Sequence, residues 1–310
     1  MKPTLLLSFG IAYAATSPLA YTLQRYARYC HAGYTKELKF LQLLANPTYK
    51  DNTLKHRLNS HREKILTNTW ENFESDSGHK MNLTQDLSPL KDFPLTYFDR
   101  LSRPPYTLKN YIKYYTALWD HVKPLGYDAV ADFSKIHHFQ LDTLTPYINK
   151  LHQYFNLKGI IIVRDPVRTA FSQHLCHAAR SRTRHINTYI EDVDYIPFFD
   201  RIKKVIPDSH MIVMEELWEG DDTEHTILEN WLGCSIPVLW DNCYAPDKGH
   251  LLQYNPNTPC QYFGQTDAEL TPELYLNLKH TFKQSYINWE NRYGSLPLHW
   301  GKPIDYSANL

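Results

Sequence analysis

The sequence lacks a surplus of charge. Lys plus Arg and Asp plus Glu stand at 33 each in 310 residues, so no global field points to nucleic acid or an anionic membrane. It also lacks cysteine in any metal-binding pattern. Its five cysteines, Cys30, Cys176, Cys234, Cys243 and Cys260, are odd in number, irregular in spacing and without a CxxC pair. Neither a structural zinc site nor a dense disulfide framework is supported. Reduced thiols in a cytoplasmic protein are the expectation, with one Cys243–Cys260 bridge as the alternative. Past the N-terminus no apolar run nears the ~18 residues of a membrane span. There is no internal repeat and no low-complexity tract. The ATP-type lysine is missing as well. Gly10 is followed five residues on by Ala15, and Thr16 stands where GxxxxGK[ST] needs lysine.

What is present is an ample apolar fraction, 43%, with 23 tyrosines and 16 histidines. Those residues suit a sizeable core and a wet cleft lined by flat side chains with polar tips. "LLLSFGIAYAATSPLA" (5–20) has two readings that exclude each other. One is a secretory signal, with Lys2 in front and Ala12-Tyr13-Ala14 as a cleavage site, which would make the protein secreted. The other is a buried strand over 4–9 entering a phosphate-gripping turn, with Ser17 as N-cap and Pro18 opening a helix to about Tyr29.

Further along, 36–45 and 53–67 read as helices and 71–105 as mostly loop. Residues 106–122 have helical spacing, 127–134 read as a strand and 144–155 as a helix. "KGIIIV" (158–163) is apolar enough to be covered on both faces. "HMIVMEELW" (210–218) reads as another buried strand, 223–232 as a helix, and 270–289 as one long amphipathic helix. Strands alternating with helices predict a single α/β domain over 1–310, a P-loop-like three-layer sandwich around a parallel sheet of about five strands.

Two stretches carry candidate chemistry. In "SFGIAYAATSP" the backbone of Tyr13, Ala14, Ala15, Thr16 and Ser17 opens a helix and can converge on an anion; a bare helix cap gives the same pattern. In "IVRDPVRTAFS" Arg164 ends a strand, Asp165-Pro166 starts a helix, and Arg168 lies one turn before Ser172 on the same face. An arginine fork beside a hydroxyl suits a terminal phosphate, and an arginine paired to a surface carboxylate is the alternative.

Together these motifs resemble the sulfotransferases that use 3′-phosphoadenosine 5′-phosphosulfate (PAPS), closest in motif to the heparan-type polysaccharide enzymes. "VMEELW" and the closing "INWENRYGSLPLHW" are similar to later segments of that family. The resemblance implies that residues 13–17 hold the 5′-phosphosulfate and that Arg164 and Ser172 hold the 3′-phosphate. "TKELKF" (35–40) is similar to the family's Lys-Glu-x-x-Phe segment, which makes Glu37 the general base beside Lys36. On residues alone, Lys and Glu on a helix are a solvated face. "DKGHLLQYN" resembles the loop that closes over the nucleotide, giving Lys248 and Gly249; Asp247 departs from the family's arginine. Residues 126–139 fall where the family lines the acceptor side, with Asp132, Ser134, Lys135, His137 and His138 as candidates and His137 as the reserve base.

Tyr13 departs more seriously, standing where the family has a Lys or Arg that steadies the leaving phosphate. Losing a placed cation costs on the order of 3 kcal/mol in the transition state unless Lys36, Lys39 or Lys135 reaches in. The implied reaction is sulfuryl transfer from PAPS, without a metal, to a hydroxyl or amine of a small-molecule or glycan acceptor. Basic runs at 55–64 and 177–185 would steer an acidic glycan. A catalytically silent nucleotide-binding protein and another P-loop nucleotide enzyme stand as alternatives.

Overall fold

A computed structural model describes residues 2–10, 19–20, 23–24, 27–31, 38–45, 90, 92–102, 105–179, 189–218, 222–236, 270–297 and 300–302. Five strands form one sheet: β1 Thr4–Phe9, β2 Tyr29–His31, β3 Ala129–Ile136, β4 Asn156–Val163 and β5 Ser209–Val213. Their order is β2-β3-β1-β4-β5, and every pairing is parallel. The helices in chain order are α1 Phe40–Ala45, α2 Leu95–Ser102, α3 Leu108–Val122, α4 Leu141–Leu151, α5 Pro166–Ala179, α6 Tyr195–Val205, α7 Met214–Trp218, α8 Asp222–Leu232, α9 Pro272–Thr281 and α10 Lys283–Tyr293.

The strands are apolar on both faces because both faces are covered. Leu5, Leu7 and Phe9 of β1 share one core with residues of α3, α4 and α6. Leu6 turns to the other side and joins Leu19, Leu23, Leu228 and Leu232. This alternation is the two-residue period of a pleated strand, and it makes a three-layer sandwich. Each fully buried leucine contributes roughly 1.5–3 kcal/mol.

The sequence reading of 4–9 as a buried strand is met, and this strand is central, between β3 and β4. The strand expected at 127–134 runs from Ala129 to Ile136, and the helix expected at 144–155 runs from Leu141 to Leu151. The helix expected over 53–67 lies outside the described residues.

Four local expectations are corrected. The helix read as reaching Tyr29 stops earlier: Arg28 takes φ 57°, and Tyr29 opens the edge strand β2. Inside the stretch read as loop, α2 forms behind Pro94, with Phe98 and Leu101 buried three residues apart; that proline opens the helix rather than breaking it. The strand read over 210–218 ends at Val213, and the helix-favouring Met-Glu-Glu-Leu that follows makes α7. The long C-terminal helix is two, interrupted at the fully buried Phe282 with φ −96° and ψ 16°.

The topology fixes where a ligand would sit. From central β1 the chain moves to β2 on one side; from β4 it moves to β5 on the other. Leu19, Ala20 and Leu23 of the crossover pack on one face, while α4 and α6 pack on the opposite one. Connections leaving neighbouring strands in opposite directions open a crevice at their carboxyl ends. Here that crevice lies between the ends of β1 and β4.

Candidate functional site

Gly10 begins the turn after β1. Its N–H donates to the Ile136 carbonyl at 3.0 Å, and its φ is 110°. A Cβ there would meet the Ile161 side chain at 3.0 Å. Positive φ and the close approach both call for glycine. The turn thus leaves the sheet wedged between the ends of β3 and β4. Tyr13, Ala14, Ala15, Thr16 and Ser17 lie outside the described residues, as do Lys36, Glu37, Lys248, Gly249 and the Ser172 side chain.

On the β4 side of the crevice a buried polar cluster surrounds Arg164 (7% exposed) and Asp165 (0%). Asp165 caps α5, its Oδ1 accepting the Arg168 N–H at 3.0 Å. Its Oδ2 accepts from the Tyr275 hydroxyl at 2.8 Å, the Tyr286 hydroxyl at 3.1 Å and the Gly301 N–H at 3.0 Å. Burial and the neighbouring Asp165 charge push both tyrosine pKa values well above 10, so both hydroxyls keep their protons. The Asp165 carboxylate therefore occupies the helix N-terminus itself.

Arg168 read in the sequence as a second phosphate fork. Its Nη2 instead donates to the Lys302 carbonyl at 2.9 Å, and its guanidinium carbon lies 5.5 Å from the centre of the Tyr275 ring. Glu215, just past β5, accepts the Asp165 N–H at 2.9 Å and the Trp300 indole N–H at 3.0 Å. Burial pushes the Glu215 carboxyl up, and the Arg164 guanidinium is the strongest influence pulling it back.

The end of β3 forms the other flank. The buried Asp132 accepts the Tyr111 hydroxyl at 2.9 Å and the Ser134 N–H at 2.9 Å. Burial raises its pKa against the pull of those donors. The Ser134 hydroxyl oxygen accepts the Lys39 N–H at 2.6 Å, and the Gln42 amide donates to the Lys135 carbonyl at 2.8 Å. Lys39 takes φ 55°, rare for a residue with a Cβ. Lys39 and Gln42, which follow Lys36 and Glu37 in sequence, are thereby pinned to the same end of the sheet as Gly10.

His137 follows Ile136 directly and lies parallel to the exposed Phe139 ring, centroids 5.4 Å apart. Burial pushes its pKa down from 6.5 to about 4; Asp192 opposes this, while Lys135, Lys39 and His138 add to it. It is neutral at pH 7 and able to accept a proton. His138 sits 3.0 Å from Asp192 and 3.4 Å from Glu191, and the Asp192 hydrogen bond raises its pKa.

Because His137 resists protonation when folded, it binds fewer protons than in the unfolded chain between pH 6.5 and about 4. Its contribution to stability is complete above 6.5 and is lost as pH falls through that window, on the order of 3 kcal/mol over the whole of it. Urea unfolding at pH 7 and pH 5 should show a smaller acid-induced loss in His137→Gln than in the wild type. Equal losses would contradict the shift.

Sequence reasoning thus singled out Arg164 and the end of β3 but not Tyr275 and Tyr286. Their local helical pattern carries no sign of a carboxylate more than 100 residues away. Glu215 and Trp300 were visible only as parts of a resemblance. Among the described residues no group of three or more His, Cys, Asp or Glu stands where it would hold a metal ion.

No family model matches the sequence, and no curated protein does. Solved structures do. The sulfotransferase from Alicyclobacillus acidocaldarius is 15% identical, with a TM-score of 0.52 over 100% of this chain and 99% of that one. A sulfotransferase domain from the Synechococcus PCC 7002 olefin synthase is 15% identical, TM-score 0.44, covering 95% of each chain. The sulfotransferase domain from the curacin biosynthetic pathway is 14% identical, TM-score 0.42, covering 77% of this chain and 76% of that one. The first of these likenesses joins the five-stranded parallel sheet and its flanking helices into one conclusion: the chain has the fold of a sulfotransferase.

Proposed function

We propose that the chain, acting as one domain over 1–310, is a PAPS-dependent sulfotransferase. In this proposal residues 13–17 grip the 5′-phosphosulfate, Arg164 and Ser172 hold the 3′-phosphate, and Lys248-Gly249 closes over the nucleotide. Glu37 takes the proton from an acceptor hydroxyl or amine as its oxygen or nitrogen bonds to sulfur. The bond from sulfur to the phosphate oxygen breaks in line, and adenosine 3′,5′-bisphosphate leaves. Lys36 supplies the charge that Tyr13 lacks, with the tyrosine hydroxyl as a second donor. His137 is the reserve base. A carbohydrate is the proposed acceptor class. A cytoplasmic setting is the proposed location.

One observation carries the reading. Gly10, which starts the first motif, packs on Ile161, three residues before Arg164 of the second. The two motifs therefore begin on the two walls of one crevice, as a nucleotide bridging them requires.

Thermal unfolding with adenosine 3′,5′-bisphosphate and with ATP tests the donor. The bisphosphate should raise Tm by about 6 °C at a hundredfold excess over Kd, and ATP by much less. Labelled PAPS should then pass its sulfate to an acceptor in a panel of neutral and acidic glycans. A larger shift with ATP would point to another nucleotide enzyme. A bisphosphate shift with no transfer to any acceptor would leave a binding protein.

A further inference from the structure

One peptide unit in the crevice is held from both sides. The Arg164 carbonyl accepts the Tyr195 hydroxyl at 2.7 Å, and the N–H of the same unit, on Asp165, donates to Glu215 at 2.9 Å. The second Glu215 oxygen accepts the Trp300 indole N–H at 3.0 Å. Glu215 is 2% exposed and Trp300 also 2%. These bonds orient the backbone from which the Arg164 side chain springs. An arginine side chain is rich in rotamers, and every rotamer removed before a ligand arrives is one the ligand need not freeze.

We infer that Glu215 is a positioning residue for Arg164, and that through Glu215 the Trp300 indole couples the C-terminal segment to recognition of the nucleotide's 3′-phosphate. The inference rests on the nucleotide reading above. Glu215 touches no ligand in this scheme; it fixes the 164–165 peptide from which Arg164 springs. The Trp300 indole keeps that carboxylate from swinging. Two further contacts hold the same C-terminal segment in place, Gly301 N–H on Asp165 and Arg168 on the Lys302 carbonyl.

The test is calorimetric binding of two probes to the full chain: adenosine 3′,5′-bisphosphate and adenosine 5′-phosphate, which lacks the 3′ group. In Glu215→Gln the affinity for the bisphosphate should fall about tenfold while that for the monophosphate stays within about twofold. Trp300→Phe keeps an aromatic ring but loses the donor, and should move the ratio the same way. The double variant should match Glu215→Gln alone, because the indole acts through the carboxylate. If Glu215→Gln fails to fold, Trp300→Phe carries the same comparison. A merely structural role would weaken both probes alike, and that result, or an unchanged or tighter bisphosphate, overturns the inference. A wild type that does not prefer the bisphosphate overturns the PAPS reading instead, before any variant is made.

Discussion

Asp165→Ala should cost about 4 kcal/mol of folding stability, read as a large drop in the urea midpoint. Asp165 is fully buried and accepts four hydrogen bonds, from the Arg168 and Gly301 amides and from two tyrosine hydroxyls. Hydrogen bonds to a charged acceptor contribute about 1.5–3 kcal/mol each, and removing the shared acceptor leaves buried donors without one. Their sum exceeds the expected loss because water and side-chain rearrangement recover part of it. With total stabilities of roughly 5–15 kcal/mol, the variant would be marginal. Asp165→Asn keeps one acceptor oxygen and should lose about half as much. Arg292→Ala is the comparison: its ion pair with Asp200 spans 3.4 Å between side chains 51% and 44% exposed. Such a pair contributes well under 1 kcal/mol. If Asp165→Ala unfolds no earlier than Arg292→Ala, the buried cluster is not what holds the C-terminal segment.

The contrast matters because the described residues of that segment, 300–302, form no strand. Residues 300–302 reach the sheet through three side chains of the β4–α5 and β5–α7 junctions: Asp165, Arg168 and Glu215. Lys279 adds a fourth contact, donating to the Gly301 carbonyl at 2.6 Å. The cluster that stabilises the chain's end is therefore the one that shapes the crevice. Stability and binding are coupled at this point, and variants here need both readouts.

The sequence made some of this legible and hid the rest for definite reasons. β1 and β4 are continuous apolar runs because both their faces are covered, and such runs stand out. β2 is three residues, Tyr-Cys-His, too short for any period to show. Asp165 was visible as an N-cap because the Asp-Pro pair is local. Its partners Tyr275 and Tyr286 arrive from α9 and α10, and no spacing rule links them. Arg168 fitted a phosphate fork by helical geometry alone; the Lys302 carbonyl that engages it is 134 residues downstream. The break at Phe282 follows from burying its ring, a tertiary demand that overrides the helical pattern around it. Of the candidate site, the framework was readable from both flanks: Gly10 and Arg164 at strand ends, and the β3 edge with Ser134 and His137. The groups that fasten it were not.

Arg164→Ala should abolish the stabilisation that adenosine 3′,5′-bisphosphate gives the wild type, with affinity falling by about a hundredfold or more. Two other groups at this strand end could be expected to hold a phosphate. The N-terminus of α5 is an anion site in principle, but Asp165 caps it with its own carboxylate. Arg168 is turned to the C-terminal segment. Arg164 stands at the end of β4 itself, and at 7% exposure its charge acts where water screens little. Arg164→Lys keeps a charge but loses the planar fork, so it should recover only part of the affinity. Adenosine 5′-phosphate provides the internal control, since its binding should change by no more than about threefold in either variant. A bisphosphate that binds Arg164→Ala as tightly as the wild type would remove the arginine from recognition and the PAPS proposal with it. If both nucleotides weaken together, Arg164 supports the crevice as a whole and does not read the 3′ position.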